Sequence, residues 1–292
     1  MAGGDALVLN TTKVFRARLL GTRASGAPAE VLLLRPIDGM TFEAMVHPGG
    51  KLKPGRRITV GEGLEVEILE ATPRRTRLVR LHTALPIIEA IERHGHVPIP
   101  PYLDRLDDPA DAARYQTVYA HEAGSVAAPT AGLHFTDGVL TALAARQVER
   151  IDILLHIGAG TFKPVSYDNP DEHDMHEEWY SVSDVAAAQL RALRARGGAL
   201  WAVGTTCVRT LESAANDDRT VRSESGDTRL FIRPGFEFRV VDHLVTNFHL
   251  PRSTLIMLVA AFAGFELTMH AYDVAVREGY RFYSYGDSMV LL

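Results

Sequence analysis

The sequence predicts an α/β protein that carries a separate β module near its N-terminus. Residues 14–82 contain short segments with strand-like character, separated by turns that bear Gly and Pro. From Leu85 onward, helical patterns alternate with apolar runs of strand length, as expected of an α/β domain. The segment DALVLN, which precedes the β module, also has the pattern of a strand. If that strand belongs to the α/β sheet, the β module is an insertion in one larger domain.

Each predicted element has a local signal. Five short strands within about seventy residues favour a small barrel or a sandwich for the β module. These strands are VFRARLL, EVLLLRP, TFEAMVH, LEVEILE and TRLVRLH. The later elements are the helices PIIEAIERHG, DGVLTALAARQ and SDVAAAQLRALRARGG and the strands IDILLHIG and GALWAVG. The first helix is expected to end at Gly95, and Ser183 is the predicted N-cap of the third.

The composition is that of a globular protein from a reducing compartment. The 292 residues are 46% hydrophobic and 23% charged, and the net charge of −5 argues against a generally cationic nucleic-acid coat. The single cysteine, Cys207, cannot form an internal disulfide and is typical of a small buried side chain. No secretory signal is visible, and the apolar run 255–265 is shorter than the about 20 residues that span a bilayer. We therefore expect a cytoplasmic protein.

Six segments crowd hydrogen-bonding side chains at the end of a predicted strand or the start of a predicted helix. They are AAPTAGLHFT (127–136), HIGAGTFKPV (156–165), HDMHEEWY (173–180), GTTCVRTLES (204–213), LVTNFHLPRSTLIMLVAAFAG (244–264) and YRFYSYGDSMVLL (280–292). Ligands of α/β sheets bind at the carboxyl ends of strands, where helix N-termini favour anions. Several such junctions in one chain predict a ligand pocket.

Each segment also has a purely structural interpretation. Thr205, Thr206 and Ser253 would serve equally well as helix caps. GAG is not a dinucleotide fingerprint, so a tight turn is favoured there, and HDMH lacks a third ligand in a recognisable zinc pattern. Arg209 and Glu212, three apart on a predicted helix, would suffice for an ion pair. The basic stretches KLKPGRR and PRRTRLVR indicate either a solvated face or a nucleic-acid contact.

These segments, in this order, resemble the S-adenosylmethionine:tRNA ribosyltransferase-isomerase family of queuosine biosynthesis. The resemblance extends to GDALVLNTTKV (4–14), PIPPYL (98–103), YQTVYA (115–120) and GSVAAPTAGLHFT (124–136), and it covers essentially the whole chain. Family members usually begin roughly fifty residues earlier, so we expect this chain to lack the family's N-terminal segment. Lys13 and Phe15-Arg16 also stand where the family more often shows Arg and Ile-Pro.

The resemblance implies an α/β fold in which a large, distorted, barrel-like α/β domain carries an inserted small β-barrel domain. The large domain would comprise residues 1–13 and 84–292, and the barrel residues 14–83. The implied reaction transfers and isomerises the ribosyl part of S-adenosylmethionine onto 7-aminomethyl-7-deazaguanine at the tRNA wobble position. Epoxyqueuosine-tRNA, adenine and methionine would be the products.

S-adenosylmethionine would be a consumed substrate, so the resemblance implies no separate cofactor and no metal. The expected partners are S-adenosylmethionine and a tRNA with a GUN anticodon, with no membrane partner, and the chain is expected to act as a monomer. The sulfonium acidifies the adjacent C5′ hydrogens, so the reaction needs a base, and adenine departure needs a proton or a hydrogen bond. Histidine and carboxylate are the usual agents for such steps.

On this basis the candidate residues fall into three groups. The predicted catalytic residues are His134, His249, His176, Glu177 and Asp287. The predicted substrate-binding residues are Thr130, Gly158, Gly160, Thr161, Thr205, Thr206, Arg209, Glu212, Asn247, Arg252, Ser253, Tyr283 and Tyr285. The predicted tRNA-binding residues are Lys51, Lys53, Arg56, Arg57, Arg74, Arg75 and Arg77.

The side-chain chemistry suggests particular roles for some of them. Arg209 and Arg252 carry guanidinium groups that match a methionine carboxylate or an RNA phosphate. Asn247 would bind ribose hydroxyls or a base edge, and Tyr283 and Tyr285 would stack on adenine or on a flipped-out nucleotide.

Three other functions are compatible with parts of the sequence. A non-catalytic tRNA-binding remnant of the family would bind tRNA in a salt-sensitive way without consuming S-adenosylmethionine. A metal-dependent hydrolase would be built around His173 and His176. A methyltransferase would leave S-adenosylhomocysteine rather than adenine and methionine.

Overall fold

The computed structural model describes residues 1–158 and 175–292, which divide into two compact units. The α/β unit consists of Met1–Lys13, Gln116–Glu122 and Ala128–Leu292, and the barrel unit of Val14–Tyr115 and Ala123–Ala127. The strands are β1 (Ala6–Asn10), β2 (Thr12–Val14), β3 (Arg18–Arg23), β4 (Pro28–Pro36), β5 (Thr41–His47), β6 (Arg57–Gly61), β7 (Leu64–Ala71), β8 (Arg77–Thr83), β9 (Gly95–His96), β10 (Glu122–Ser125), β11 (Glu149–Leu155), β12 (Glu178–Val182), β13 (Leu200–Val203), β14 (Glu224–Thr228), β15 (His243–Asn247) and β16 (Ser288–Leu291). The α-helices are α1 (Ile87–His94), α2 (Asp111–Arg114), α3 (Asp137–Ala145), α4 (Asp184–Ala195), α5 (Thr205–Ser213), α6 (Thr254–Ala263) and α7 (Phe265–Arg277), and short 3-10 helices cover Pro101–Leu103 and Thr130–His134.

The barrel unit is a closed antiparallel barrel of six strands. The strands follow one another in the order β3-β4-β5-β8-β7-β6, and β6 pairs with β3 to complete the circle. Side chains alternate along the strands, as in β7, where Leu64, Val66 and Ile68 are fully buried. At the closing pair a Cβ on Gly21 would lie 2.5 Å from the Thr59 carbonyl oxygen, so only glycine fits there. The predicted small β-barrel is confirmed.

The barrel unit continues beyond residue 83, the predicted end of the β module. β9 pairs with β3 through Leu19 and Gly95, so the chain returns to the barrel after α1. Helix α1 ends at His94 with Gly95 as its C-cap, as the sequence predicted, and it buries Ala90 and Ile91. These contacts extend the compact unit to Tyr115.

The α/β unit is built on a mixed sheet of seven strands in the order β14-β12-β11-β1-β13-β15-β16. The four central strands β11, β1, β13 and β15 are parallel, whereas β12, β14 and β16 run antiparallel to their neighbours. β1 is the predicted strand DALVLN, and all five of its residues are buried. Because β1 lies in the middle of this sheet and precedes the barrel in the chain, the barrel is an insertion in the α/β domain, as predicted.

Side-chain caps begin helices α3 and α4 of this unit. Ser183 accepts a hydrogen bond from the Ala186 N–H at the start of α4, and Thr136 accepts one from the Val139 N–H at the start of α3.

Among the described residues, no single helix is long and apolar enough to cross a membrane. Helices α6 and α7 together reach that length and composition, but they are bent by 116° relative to each other.

Candidate active site

The carboxyl ends of four parallel strands meet at one edge of the α/β sheet. β11, β1, β13 and β15 are neighbours in that order and end at Leu155, Asn10, Val203 and Asn247. Residues that follow these strands therefore lie side by side, which is where ligands of parallel sheets bind. We call this region the strand-end edge.

Asn10, the last residue of β1, joins three elements at the strand-end edge. Its fully buried amide donates to the Leu155 carbonyl at 3.0 Å and accepts from the Leu155 N–H at 3.1 Å. It also donates to the Thr206 hydroxyl at 3.3 Å. Asn10 therefore fixes the end of β1 relative to β11 and to the first turn of α5.

Asn247, at the end of β15, collects three other predicted site residues and is only 1% exposed. Its Oδ1 accepts a hydrogen bond from the Thr130 hydroxyl at 3.1 Å. Its Nδ2 lies 3.1 Å from Nε2 of His134 and 3.3 Å from the carbonyl oxygen of Tyr283. We call Thr130, His134, Asn247 and Tyr283 the Asn247 cluster.

The 3-10 helix that carries Thr130 and His134 packs beside the start of α5. Gly204, the N-cap of α5, has φ 87°, a left-handed value that favours glycine. A Cβ placed there would lie 3.5 Å from the Ala131 Cβ and 3.7 Å from Thr206 Oγ1. The first turn of α5, which carries Thr206, therefore lies beside the 3-10 helix at Ala131, and Thr205 is buried as the first residue of α5.

His134 is neutral in this environment. Partial burial lowers its pKa below the ordinary value, the carboxylate of Asp287 opposes that effect, and the Arg281 guanidinium adds to it. Asp287 is itself held by Arg281, whose N–H and side chain donate to its two oxygens at 2.7 and 2.9 Å, and these bonds lower the pKa of the carboxyl group. Asp287 is thus ionised near neutral pH and contributes negative charge beside His134.

His249 lies away from solvent, although it was predicted as an acid–base residue. Its Nε2 is 2.7 Å from the Thr246 hydroxyl, and its backbone N–H donates to the Tyr272 hydroxyl at 2.8 Å. Burial lowers the pKa of His249 to about 4, so the ring remains neutral over most of the pH range. This placement fits a residue that holds the loop after β15, and the catalytic role of His249 stays a prediction.

His156, which follows β11, is a second neutral imidazole at the strand-end edge and was not among the predicted residues. Its Nδ1 lies 2.9 Å from the Thr12 hydroxyl, and its ring stacks on Trp179 at 5.3 Å between centroids. Burial lowers its pKa, while Glu122 raises it. Trp179 is 39% exposed, so the stacked pair offers an aromatic surface to a ligand.

Arg209 is engaged in a buried ion pair. Its Nη1 donates to Glu178, and its Nε donates to the Leu230 carbonyl at 3.1 Å. Both side chains of the pair are 8% exposed. The other Glu178 oxygen accepts from the N–H of Gly158 at 3.1 Å, so this pair anchors the chain as it leaves β11.

Glu212, predicted as a ligand residue, instead accepts hydrogen bonds from three backbone groups. The N–H groups of Arg239, Val240 and Val241 lie 2.9, 3.1 and 3.1 Å from its carboxylate. Burial raises the pKa of Glu212, and the three N–H groups oppose that rise. Its contacts are those of a residue that supports the segment before β15.

The remaining predicted residues are dispersed. Ser253 caps α6 by accepting from the Ile256 N–H at 3.3 Å, whereas Arg252 and His176 are exposed. The Glu177 carboxylate accepts a hydrogen bond from Nε of Arg229 at 2.8 Å. Tyr285 is partly buried in the segment between α7 and β16. Gly160 and Thr161 lie outside the described residues.

The structure also bears on two other chemistries, a cysteine nucleophile and the metal centre that the hydrolase hypothesis requires. Burial raises the pKa of Cys207 to about 12, so its thiol stays protonated and is not a nucleophile near neutral pH. Within residues 1–158 and 175–292, no group of three or more His, Cys, Asp or Glu side chains could hold a metal ion. His173, which the metal hypothesis requires, lies outside that part of the chain.

The predicted tRNA-binding residues lie at one end of the barrel unit. Arg77, at the start of β8, donates to the carbonyls of Gly49 and Leu52 at 3.2 and 3.3 Å, so the turn after β5 and the turn before β8 are held together. Lys51, Lys53, Arg56, Arg57, Arg74 and Arg75 are exposed around this junction. Arg57 is partly neutralised by Glu65 and Glu67, at 3.3 and 3.5 Å. We call this set, with Arg77, the basic barrel end.

Comparison with known proteins identifies the family. The sequence profile described as "Queuosine biosynthesis protein" matches residues 1–291. The chain belongs to this family. Two members named S-adenosylmethionine:tRNA ribosyltransferase-isomerase, from Moorella thermoacetica and Symbiobacterium thermophilum, are each 52% identical over 292 residues. The match covers 99% of this chain and 85% of each relative.

A solved structure of the queuosine biosynthesis family agrees with this assignment. The crystal structure of S-adenosylmethionine tRNA ribosyltransferase from Thermotoga maritima superposes with a TM-score of 0.52 at 36% sequence identity. The superposition covers 100% of this chain and 84% of that one. The family predicted from the motifs is confirmed.

Sequence reasoning missed Asn10, Thr12, His156, Glu178 and Trp179 at this site. A signal existed for two of them, since Asn10 ends a strand whose five residues are all buried and His156 directly follows β11. The roles of Thr12, Glu178 and Trp179 depend on partners that are distant in sequence.

Proposed function

We propose that this chain transfers and isomerises the ribosyl part of S-adenosylmethionine onto 7-aminomethyl-7-deazaguanine at the wobble position of tRNA. Epoxyqueuosine-tRNA, adenine and methionine are the products, and S-adenosylmethionine is consumed rather than retained as a cofactor. The tRNA carries a GUN anticodon, and the enzyme acts as a cytoplasmic monomer. The observation that carries the proposal is the convergence of separate family motifs at the strand-end edge, where Asn10, Thr206 and the Asn247 cluster come together.

The residues at this edge suit the two proton steps that the reaction needs. Removal of a C5′ hydrogen next to the sulfonium requires a base, and departure of adenine requires a hydrogen bond to the leaving nitrogen. His134 and His156 are imidazoles whose pKa values burial lowers, so both are neutral near pH 7, the form of the ring that serves in such steps. The exposed face of Trp179 is a stacking surface for a nucleobase.

The decisive experiment incubates the full chain with S-adenosylmethionine and a tRNA carrying 7-aminomethyl-7-deazaguanine. Adenine release is measured by chromatography, and the digested tRNA is examined by mass spectrometry for epoxyqueuosine. A matched tRNA with unmodified guanine at the wobble position is the control and should yield no adenine. S-adenosylhomocysteine as the product, or tRNA binding without adenine, would reject the proposal.

We propose that the basic barrel end contacts the tRNA backbone. Each phosphate contact contributes about 0.7 to 0.9 to the slope of log affinity against log salt. Lys53→Ala and Arg74→Ala should therefore weaken tRNA binding and reduce this slope. The matched control is Arg93→Ala on α1, an exposed cation of the barrel unit that pairs with Glu89 at 3.3 Å. Equal slopes for all three variants and the wild type would exclude this surface from the contact.

A further inference from the structure

The side-chain amide of Asn247 has one orientation because of its neighbours. The carbonyl oxygen of Tyr283, 3.3 Å away, can only accept a hydrogen bond, so the amide group that faces it is the donor Nδ2. The Thr130 hydroxyl supplies the matching donor to Oδ1 at 3.1 Å. A flipped amide would place two acceptors against each other at Tyr283.

Tyr283 is itself fixed in place. Its N–H donates to the Phe248 carbonyl at 2.9 Å, next to Asn247 in the chain. It adopts φ 75°, a left-handed value that is uncommon for a bulky residue. The carbonyl that orients the Asn247 amide is therefore held by backbone contacts with the end of β15.

The second hydrogen of Nδ2 points to the imidazole of His134. Nδ2 and Nε2 are 3.1 Å apart, and since Nδ2 is a donor, Nε2 has to be the acceptor. A neutral imidazole that accepts at Nε2 carries its proton on Nδ1. An imidazolium would set the donor Nε2–H against the donor Nδ2–H, so the same contact disfavours the charged ring.

We propose that Asn247 is a positioning residue that holds His134 in the neutral tautomer protonated on Nδ1, so that His134 meets the substrate as a hydrogen-bond donor. Among the described residues Nδ1 has no hydrogen-bond partner, and His134 is exposed, which leaves this N–H open to a ligand. Burial, which lowers the pKa of His134, and the nearby charges of Asp287 and Arg281 act on the same ring.

This inference rests on the proposed function and divides the two proton steps between two histidines. His134, with its lone pair engaged and its N–H free, is suited to the departing nitrogen of adenine. It is unsuited to removal of the C5′ hydrogen, because Nε2 is occupied by Asn247. That step falls to another base at the strand-end edge, where His156 is the neutral imidazole available.

The tautomer is measured directly by long-range 15N–1H NMR correlations of the histidine rings in the full chain, with His134→Gln to assign the signal. The wild type should show a protonated Nδ1 and an unprotonated Nε2 for His134 near pH 7. Asn247→Ala should lose this fixed pattern. Asn247→Asp, which offers an acceptor instead of a donor, should move the proton to Nε2. Asn247→Asp should also raise the pKa of His134 by about one pH unit or more, since a carboxylate would face the ring.

Thr130→Val is the matched control for this measurement. It removes the bond to Oδ1 but leaves the Tyr283 carbonyl, so the Nδ1–H form of His134 should persist. A wild-type ring protonated on Nε2, or an unchanged tautomer in Asn247→Ala, would overturn the proposal.

Turnover provides the second arm of the test. Loss of a positioned donor typically lowers kcat about 100-fold, and Asn247→Asp should do so with KM for S-adenosylmethionine changed by less than about threefold. A kcat equal to that of the wild type would show that the tautomer is irrelevant to catalysis and would also overturn the proposal. If the wild type released no adenine, the proposed function would fail, whereas the NMR result would still decide the tautomer.

Discussion

Protonation of one buried histidine should make the stability of the α/β unit depend on pH. Burial lowers the pKa of His249 from 6.5 to about 4. The unfolded chain therefore binds a proton at this residue near pH 6.5, whereas the folded chain does so only near pH 4. The stabilisation from the neutral ring is fully present above pH 6.5 and is lost as the pH falls toward 4.

The pKa difference sets the magnitude of this effect. The fall from 6.5 to about 4 corresponds to about 3 kcal/mol in total, at about 1.36 kcal/mol for each pKa unit. Between pH 7 and pH 5 the loss should be about 2 kcal/mol. His249→Gln has no titrating ring. Between pH 7 and pH 5, its free energy of unfolding should therefore fall by about 2 kcal/mol less than that of the wild type.

Urea unfolding followed by tryptophan fluorescence measures this difference, because both tryptophans, Trp179 and Trp201, lie in the α/β unit. Thr246→Val is the matched control. It removes the 2.7 Å hydrogen bond to His249 and should cost about 1 kcal/mol, but it should preserve the pH dependence because burial is unchanged. An equal pH dependence of the free energy of unfolding in the wild type and His249→Gln would refute the reasoning. His249 would then titrate as an accessible ring, as an acid–base residue does.

Three further substitutions test contacts around the strand-end edge by the same urea assay. Glu212→Ala leaves three backbone donors without an acceptor and should lower the free energy of unfolding by about 3 kcal/mol. Full stability with lost substrate affinity would indicate instead that Glu212 binds the substrate. Glu178→Gln removes the charged partner of the buried Arg209 and should lower the free energy of unfolding by about 3 to 5 kcal/mol. Replacement of both residues by apolar ones should be less destabilising than either single change. Strictly additive effects of the two single changes would contradict this. Gly132→Ala would place a Cβ 2.0 Å from the Tyr119 hydroxyl oxygen and should lower the free energy of unfolding by about 1 to 3 kcal/mol. The additional change Tyr119→Phe should restore part of this stability. No restoration would mean that the clash lies elsewhere.

Much of the fold could be predicted from local patterns. Alternating apolar residues predicted the barrel strands, and the Ser183 cap and Gly95 stop marked the ends of helices that the structure contains. The end of the barrel unit could not be predicted in this way, because it depends on the pairing of Gly95 with Leu19, which are far apart in sequence. The apolar segment DALVLN was recognisable as a strand, but its central place in the sheet follows only from its pairing with β11 and β13.

The sequence alone determined the family and the fold class, and it predicted the segments of the candidate site, because these depend on residue order and on the local periodicity of apolar residues. Only the tertiary structure decided what the individual side chains do. His134 and His249 have the same chemistry, but one is exposed beside Asn247 and the other is buried against Thr246. Hydrogen-bond direction and desolvation fix the proton of an imidazole, and both are properties of neighbours that folding brings together.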